Sequence, residues 1–229
     1  MLESLKEEVL KANLRLVDSG LVVLTWGNAS GFDPDSKLVA IKPSGVEYSK
    51  MTAQDMVIMD LAGNVIEGDL RPSSDTPTHL EIYRHFPGVK GVAHTHSIEA
   101  TAWAQAMIEI PCYGTTHADT FYGSVPVTRL LTPFEVEDNY ELNTGKVIVD
   151  RFCSLEPLSV PGVLVAGHAP FTWGESPQAA VDHAIALEAI ARMARLSNQL
   201  RANLPPLVDY VREKHYSRKH GSTAYYGQR

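Results

Sequence analysis

The stretch Val89-Lys90-Gly91-Val92-Ala93-His94-Thr95-His96 constrains this chain more than any other. Its apolar run reads as a short buried strand. In a strand, residues two apart point to the same face, so His94 and His96 project side by side. A protein offers two imidazole nitrogens to one divalent metal in this way. A third histidine, in Gly167-His168-Ala169-Pro170, follows a second apolar run at residues 163–166. A lone strand-end histidine is more often just packed. The H-x-H pair with a second strand-end histidine favours a metal site.

The chain has 229 residues, enough for one large domain or two small ones. A net charge of -7 removes any global basic field, and with it nucleic acid as an expected partner. Cys112 and Cys153 are the only cysteines, which excludes a disulfide framework and a thiolate zinc finger and suits a reducing compartment. The opening residues are amphipathic and acidic, unlike a signal peptide, and no apolar run approaches ~18 residues. The expected location is the cytoplasm, with no membrane partner.

Apolar periodicity predicts a first helix stopped by Gly20, then strands at residues 21–26 and 38–42, with Gly27-Asn28 turning the first. Residues 56–61 and 65–66 flank Ala62-Gly63-Asn64 as a hairpin. Helices are expected at 78–86, behind Pro77, and at 98–107. Further strands are expected at 125–127, 146–149 and 163–166. Ser176-Pro177 opens a long Ala-rich helix to about residue 203, and a last helix covers 208–220. Nothing marks a linker or a repeat. The pattern predicts one α/β domain with a mixed sheet covered by helices. Walker A, G-x-G-x-x-G, H-E-x-x-H and G-x-S-x-G patterns are absent, which removes the corresponding enzyme classes.

Three loops carry small polar residues. Ser73-Ser74-Asp75-Thr76-Pro77 precedes a helix, where free backbone N–H groups suit an anion. Asp75 or Thr76 is the natural N-cap, and Asp75 is also the right type to complete a His-rich metal site, so two roles compete for one carboxylate. Gly27-Asn28 and Lys42-Pro43-Ser44-Gly45 follow predicted strands and let backbone approach a ligand, with Lys42 adding charge. Each alone is an ordinary turn; together with a metal site they suggest a phosphorylated substrate held near a Lewis acid. Asp119, in Thr115-Thr116-His117-Ala118-Asp119, is a candidate acid or base, although an isolated loop Asp is usually solvated. The tail carries Arg212, Lys214, His215, Arg218, Lys219 and His220, then Tyr225-Tyr226. It reads either as a basic helix end or as a phosphate patch, with a tyrosine able to donate a proton.

Taken in order, these segments resemble the L-ribulose-5-phosphate 4-epimerase family, within the class II sugar-phosphate aldolase superfamily. The resemblance extends through Pro161-Gly162-Val163-Leu164-Val165 to Ala224-Tyr225-Tyr226-Gly227-Gln228 and covers essentially the whole chain. It implies a single domain over residues 1–229, a three-layer α/β/α fold with a central, mostly antiparallel mixed sheet, and a helical tail, about 206–229, completing an active site. By resemblance, His94, His96, His168 and Asp75 hold one divalent metal per subunit, zinc first, with manganese or cobalt also suited. The related aldolases carry a Glu base where Asp75 stands. Gly27, Asn28, Lys42, Ser44, Gly45, Ser73 and Ser74 match the phosphate site, Asp119 and Tyr226 the acid/base pair, and Thr115, His215 and Arg218 supporting residues. A homotetramer is implied, with active sites between subunits.

The reaction so implied interconverts L-ribulose 5-phosphate and D-xylulose 5-phosphate, a step of pentose catabolism such as that of arabinose. It proceeds by retro-aldol cleavage of C3–C4, rotation of glycolaldehyde phosphate and re-addition to a metal-bound enediolate. The nearest rival is an aldolase that releases its products. A more distant one is a non-catalytic binding protein of the same fold, for which the full set of candidate ligands and acid/base residues would be superfluous.

Overall fold

The computed structural model describes residues 2–220 and 224–225. Seven strands form one sheet in the order β4-β3-β2-β1-β5-β7-β6. They are β1 (Gly27–Asp33), β2 (Leu38–Ile41), β3 (Val57–Asp60), β4 (Val65–Glu67), β5 (Gly91–Thr95), β6 (Gly162–Leu164) and β7 (Pro170–Gly174). All six ladders are antiparallel. The parallel component is an isolated bridge between Val127 and Leu164. The helices are α1 (Glu3–Asp18), α2 (Thr76–His85), α3 (Ile98–Ala106), α4 (Thr115–Ala118), α5 (Pro133–Arg151), α6 (Pro177–Leu200) and α7 (Asp209–Lys219).

The two sheet faces have opposite chemistry, and this sets the layers. On β1, Gly27, Ala29 and Gly31 alternate with Asn28, Ser30 and Phe32. Helices α1 and α6 lie on the small-residue face, where Ala29 and Ala93 pack with Ala12, Leu16, Ala180 and Val181. A Cβ at Gly31 would sit 2.8 Å from side-chain carbons of Leu5 and Pro177, so only glycine admits both helices there. Asn13, buried in α1, donates to the Ala29 carbonyl at 2.9 Å and accepts from the Ala29 N–H at 2.9 Å. Helices α2 and α5 pack together on the other face. There Trp173 of β7 meets Phe86 and Phe152, each with ring centres 5.0 Å away.

Four expectations need correction. Residues 21–26 are not a strand: the chain turns there, Leu24 has φ 55°, and Val23, Leu24 and Trp26 are exposed. The strand begins at Gly27, where the turn was expected, because close helix packing demands small residues rather than an apolar run. Residues 146–149 belong to α5, where Asn143, Thr144, Val147 and Ile148 are buried at helical spacing. Residues 125–127 make only isolated bridges, to Ile110 and Leu164. Asp119 is not an isolated loop residue but the C-cap of α4. Strand β7 carries no expectation at all. The hairpin, Gly20 at φ 70° and the Ser176 cap, whose Oγ accepts from the Ala179 N–H at 3.1 Å, match the sequence reading.

Candidate active site

The central strands position the histidines. His94 lies on β5 opposite Asn28 of β1 and Phe171 of β7, on the face turned toward α2. Its ring stacks on Phe171, with centres 4.1 Å apart. Its Nδ1–H donates to the Pro170 carbonyl at 2.9 Å, which leaves the Nε2 lone pair free. That Nε2 lies 3.1 Å from His96 Nε2, one residue beyond the strand end. His168 comes from the turn between β6 and β7, made by Gly167 at φ 70° and closed by the His168 N–H on the Val165 carbonyl at 3.0 Å. The three ligand nitrogens all lie within 4.8 Å of one another. Burial, then His94, lowers the His96 pKa. Burial, then His94 and His96, takes His168 down to about 4. Three converging imidazoles, with His94 Nδ1 already engaged by the Pro170 carbonyl, are of the donor type that suits a divalent cation.

Asp75 precedes α2 as its N-cap but makes no side-chain cap. Its Oδ2 instead accepts from Asn28 Nδ2 at 2.6 Å, so the competition for this carboxylate goes to the cleft. Burial raises its pKa, yet His94, His79 and the Asn28 bond outweigh burial and the net shift is downward. Asn28 Nδ2 also donates to Ser73 Oγ at 3.0 Å. The phosphate-type loops are tied to each other: the Ser73 N–H donates to the Lys42 carbonyl at 3.0 Å and the Ser44 N–H to the Arg71 carbonyl at 2.8 Å.

Gly27, Asn28, Lys42, Ser44, Gly45, Ser73, Ser74, Asp75, His94, His96 and His168 all line one cleft of about 430 Å³. Four lining residues escaped the sequence reading: Thr25, Trp26, Tyr140 and Glu141. Tyr140 places its hydroxyl 3.4 Å from His168 Nδ1. It reaches the cleft because α5 kinks at Asn139, with φ -159° and ψ 90°. The Thr132-Pro133 start and Glu135, which closes a capping box, signal that helix in the sequence; nothing there signals the kink.

Asp119, Thr115, His215 and Arg218 do not line this cleft; they gather where α7 packs on α4. Arg218 donates to both Asp119 oxygens, at 3.0 and 2.6 Å, and His215 Nδ1 to Oδ1 at 3.1 Å. His220 Nε2 donates to the Asp119 backbone carbonyl at 2.9 Å. Burial raises the Asp119 pKa, but the bonds from Arg218 and His215 and the charge of Lys219 bring the net shift below the ordinary value. The other half of the expected acid/base pair, Tyr226, lies outside the described residues.

Residues 7–195 match the family described as Class II Aldolase and Adducin N-terminal domain. The chain belongs to the class II aldolase family. Within it, the chain is 51% identical over 228 residues to proteins of Salmonella paratyphi A and Salmonella typhi, each named L-ribulose-5-phosphate 4-epimerase UlaF. Both alignments cover 100% of this chain and 100% of the relative. Among solved class II aldolase structures, an L-fuculose 1-phosphate aldolase superposes with a TM-score of 0.80 and 26% identity, covering 94% of this chain and 95% of that one. YgbL of Klebsiella pneumoniae, titled a putative aldolase/epimerase/decarboxylase, gives a TM-score of 0.73 at 25% identity, covering 93% and 99%.

Proposed function

We propose that this protein is a metal-dependent epimerase that interconverts L-ribulose 5-phosphate and D-xylulose 5-phosphate. The reading rests on one observation above all: three converging imidazoles share a cleft with Asn28, Lys42 and the Ser73-Ser74 loop in a chain 51% identical, end to end, to 4-epimerases. His94, His96 and His168, with Asp75 as the fourth donor, would hold one divalent cation, zinc first, with manganese or cobalt as alternatives. When bound, that ion supplies Lewis acidity to the ketose oxygens.

The C4–H bond is not adjacent to the carbonyl, so proton exchange at C4 cannot invert it. Breaking C3–C4 can, because its electron pair flows into the C2 carbonyl while the C4 hydroxyl gives up its proton. Glycolaldehyde phosphate then turns over, the C3–C4 bond reforms on the opposite aldehyde face, and a proton returns to O4. Lys42, Asn28, Ser44 and Ser73 grip the phosphate, so the aldehyde pivots without leaving. Asp119, ionised at neutral pH, is the group that accepts a proton, and Tyr226 the partner that returns it on the other face. Since Asp119 stands apart from its own chain's histidine cleft, it acts on a neighbouring copy's cleft, in a homotetramer. Among the described residues no helix is long and apolar enough to cross a membrane.

The test is turnover of L-ribulose 5-phosphate by metal-loaded protein, with and without chelator, while free aldehyde is trapped. Epimerised ketose that disappears on chelation is the expected result. Stoichiometric aldehyde release would instead make it an aldolase, and chelator-resistant turnover would remove the metal.

A further inference from the structure

We infer that Tyr48 is a positioning residue for the phosphate end of the cleft: its ring carries the Lys42 ammonium and its hydroxyl anchors the Gly27 carbonyl, so one side chain braces two of the three ligand loops. The inference rests on the sugar-phosphate reading of the cleft.

Tyr48 opens a 3₁₀ turn, Tyr48–Lys50, just past the Lys42-Pro43-Ser44-Gly45 loop, and is buried. Lys42 Nζ stands over its ring, 4.8 Å from the centre. The other contact of that ammonium among the described residues is its bond to the Pro43 carbonyl at 3.1 Å. Lys42 is only 3% exposed, yet it lines the cleft. A ring face fixes such a cation without taking its N–H groups, which stay available to a phosphate. The Tyr48 hydroxyl donates to the Gly27 carbonyl at 2.6 Å. Gly27 has φ 124°, and a Cβ there would lie 2.9 Å from the His94 carbonyl oxygen. The chain therefore lies close against β5 at this point, where Gly27 pairs with Thr95, and the next residue, Asn28, delivers its amide to Ser73 and Asp75.

Core packing does not account for the hydroxyl. Tyr48 packs with Ala40, Met51 and Met56, which a phenylalanine would satisfy as well. Burial, then the charge of Asp75, pushes its phenol pKa up, so it remains a neutral donor and takes no part in proton transfer.

The experiment measures KM and kcat for L-ribulose 5-phosphate, and calorimetric binding of inorganic phosphate, in wild type, Tyr48→Phe, Tyr48→Leu, Lys42→Met and Lys42→Met/Tyr48→Leu. Tyr48→Phe should raise KM about threefold to fivefold through the lost hydrogen bond. Tyr48→Leu should raise KM and the phosphate Kd about tenfold or more, because the ring support goes as well. The loss should fall on KM rather than kcat, metal content should hold, and the double variant should be weaker than Lys42→Met alone by no more than the roughly threefold to fivefold of the lost hydroxyl bond. Should Tyr48→Leu fail to fold, Tyr48→Met keeps the apolar volume and the same readouts apply. Wild-type KM and phosphate affinity in the Leu or Met variant would overturn the inference, as would a loss that adds fully to that of Lys42→Met. If wild type binds phosphate but does not turn over L-ribulose 5-phosphate, the substrate reading fails and phosphate binding still decides the role of Tyr48.

Discussion

Replacing Lys42 by Met separates the stability of the cleft from its proposed grip on phosphate. The ammonium has one hydrogen-bond acceptor among the described residues, the Pro43 carbonyl, and one ring face, Tyr48. The charged hydrogen bond is worth about 1.5–3 kcal/mol, and the desolvated cation–π contact about 2 kcal/mol. Against them stand two further N–H groups in a nearly buried position, each costing about 1–3 kcal/mol when kept from water. Methionine removes both sets of contributions and keeps most of the volume. Stability of Lys42→Met should therefore lie within about 2 kcal/mol of wild type, since the contributions offset.

Phosphate breaks that balance. At a phosphate concentration of about 100 times the wild-type Kd, binding adds about 2.7 kcal/mol to wild type. A variant binding about 100-fold more weakly gains only about 0.4 kcal/mol at the same concentration. The assay is urea unfolding with and without inorganic phosphate. Equal phosphate increments in both proteins would refute the placement of Lys42 in the phosphate site. A loss of more than about 4 kcal/mol without phosphate would refute the cancellation. The pH dependence has a definite sign. Burial, offset in part by Asp75, lowers the folded pKa of Lys42 below its unfolded value of about 10.4. Below the folded pKa both states hold the proton and the penalty is complete. Between the two values the unfolded chain binds more protons, so wild-type stability gains from this group as pH rises through that alkaline window. The Met variant should lack this contribution.

His96→Ala should lose bound metal and epimerase activity together, by metal analysis and turnover; an active, metal-free variant would remove the histidine site from the mechanism. Asp119→Asn should keep metal and phosphate affinity while kcat falls about 10²-fold or more. Co-assembled with His96→Ala, it should recover part of the activity, because some interfaces would pair an intact cleft with an intact Asp119; no recovery would place both in one chain's site. Gly91→Ala would drive a Cβ into the backbone at Ser176 and Pro177, where no flexible side chain can yield. It should cost about 3 kcal/mol, an overpacking penalty, and lower the thermal midpoint by about 6–12 °C; an unchanged midpoint would contradict the close seating of α6 on β5.

What the sequence made legible, and what it hid, follows from where the chemistry is local. His94 and His96 share a face because strand geometry alone requires it, and the loops at Lys42 and Ser73 announce themselves as small polar residues at element ends. Strand β1 was hidden because its sequence, Gly-Asn-Ala-Ser-Gly, has the composition of a turn. It becomes a central strand through partners outside itself: α1, just before it, and α6, far along the chain, demand a flat face, while Asp75 and Ser73 give Asn28 its polar contacts. The exposed Val23, Leu24 and Trp26 misled in the opposite direction, since apolar residues in an exposed turn carry the same letters as a buried strand. Tyr140 and Tyr48 were invisible for a related reason. One depends on a kink at Asn139 and the other on contacts to the Gly27 carbonyl and the Lys42 ammonium, and neither leaves a periodic trace. Asp119 marks the furthest limit: its ion-pair partners follow 96–100 residues later, and the cleft it is proposed to serve belongs to another copy. Strand alternation therefore yields the core of the proposed metal site, whereas its bracing and its proposed proton-transfer groups depend on contacts remote in sequence.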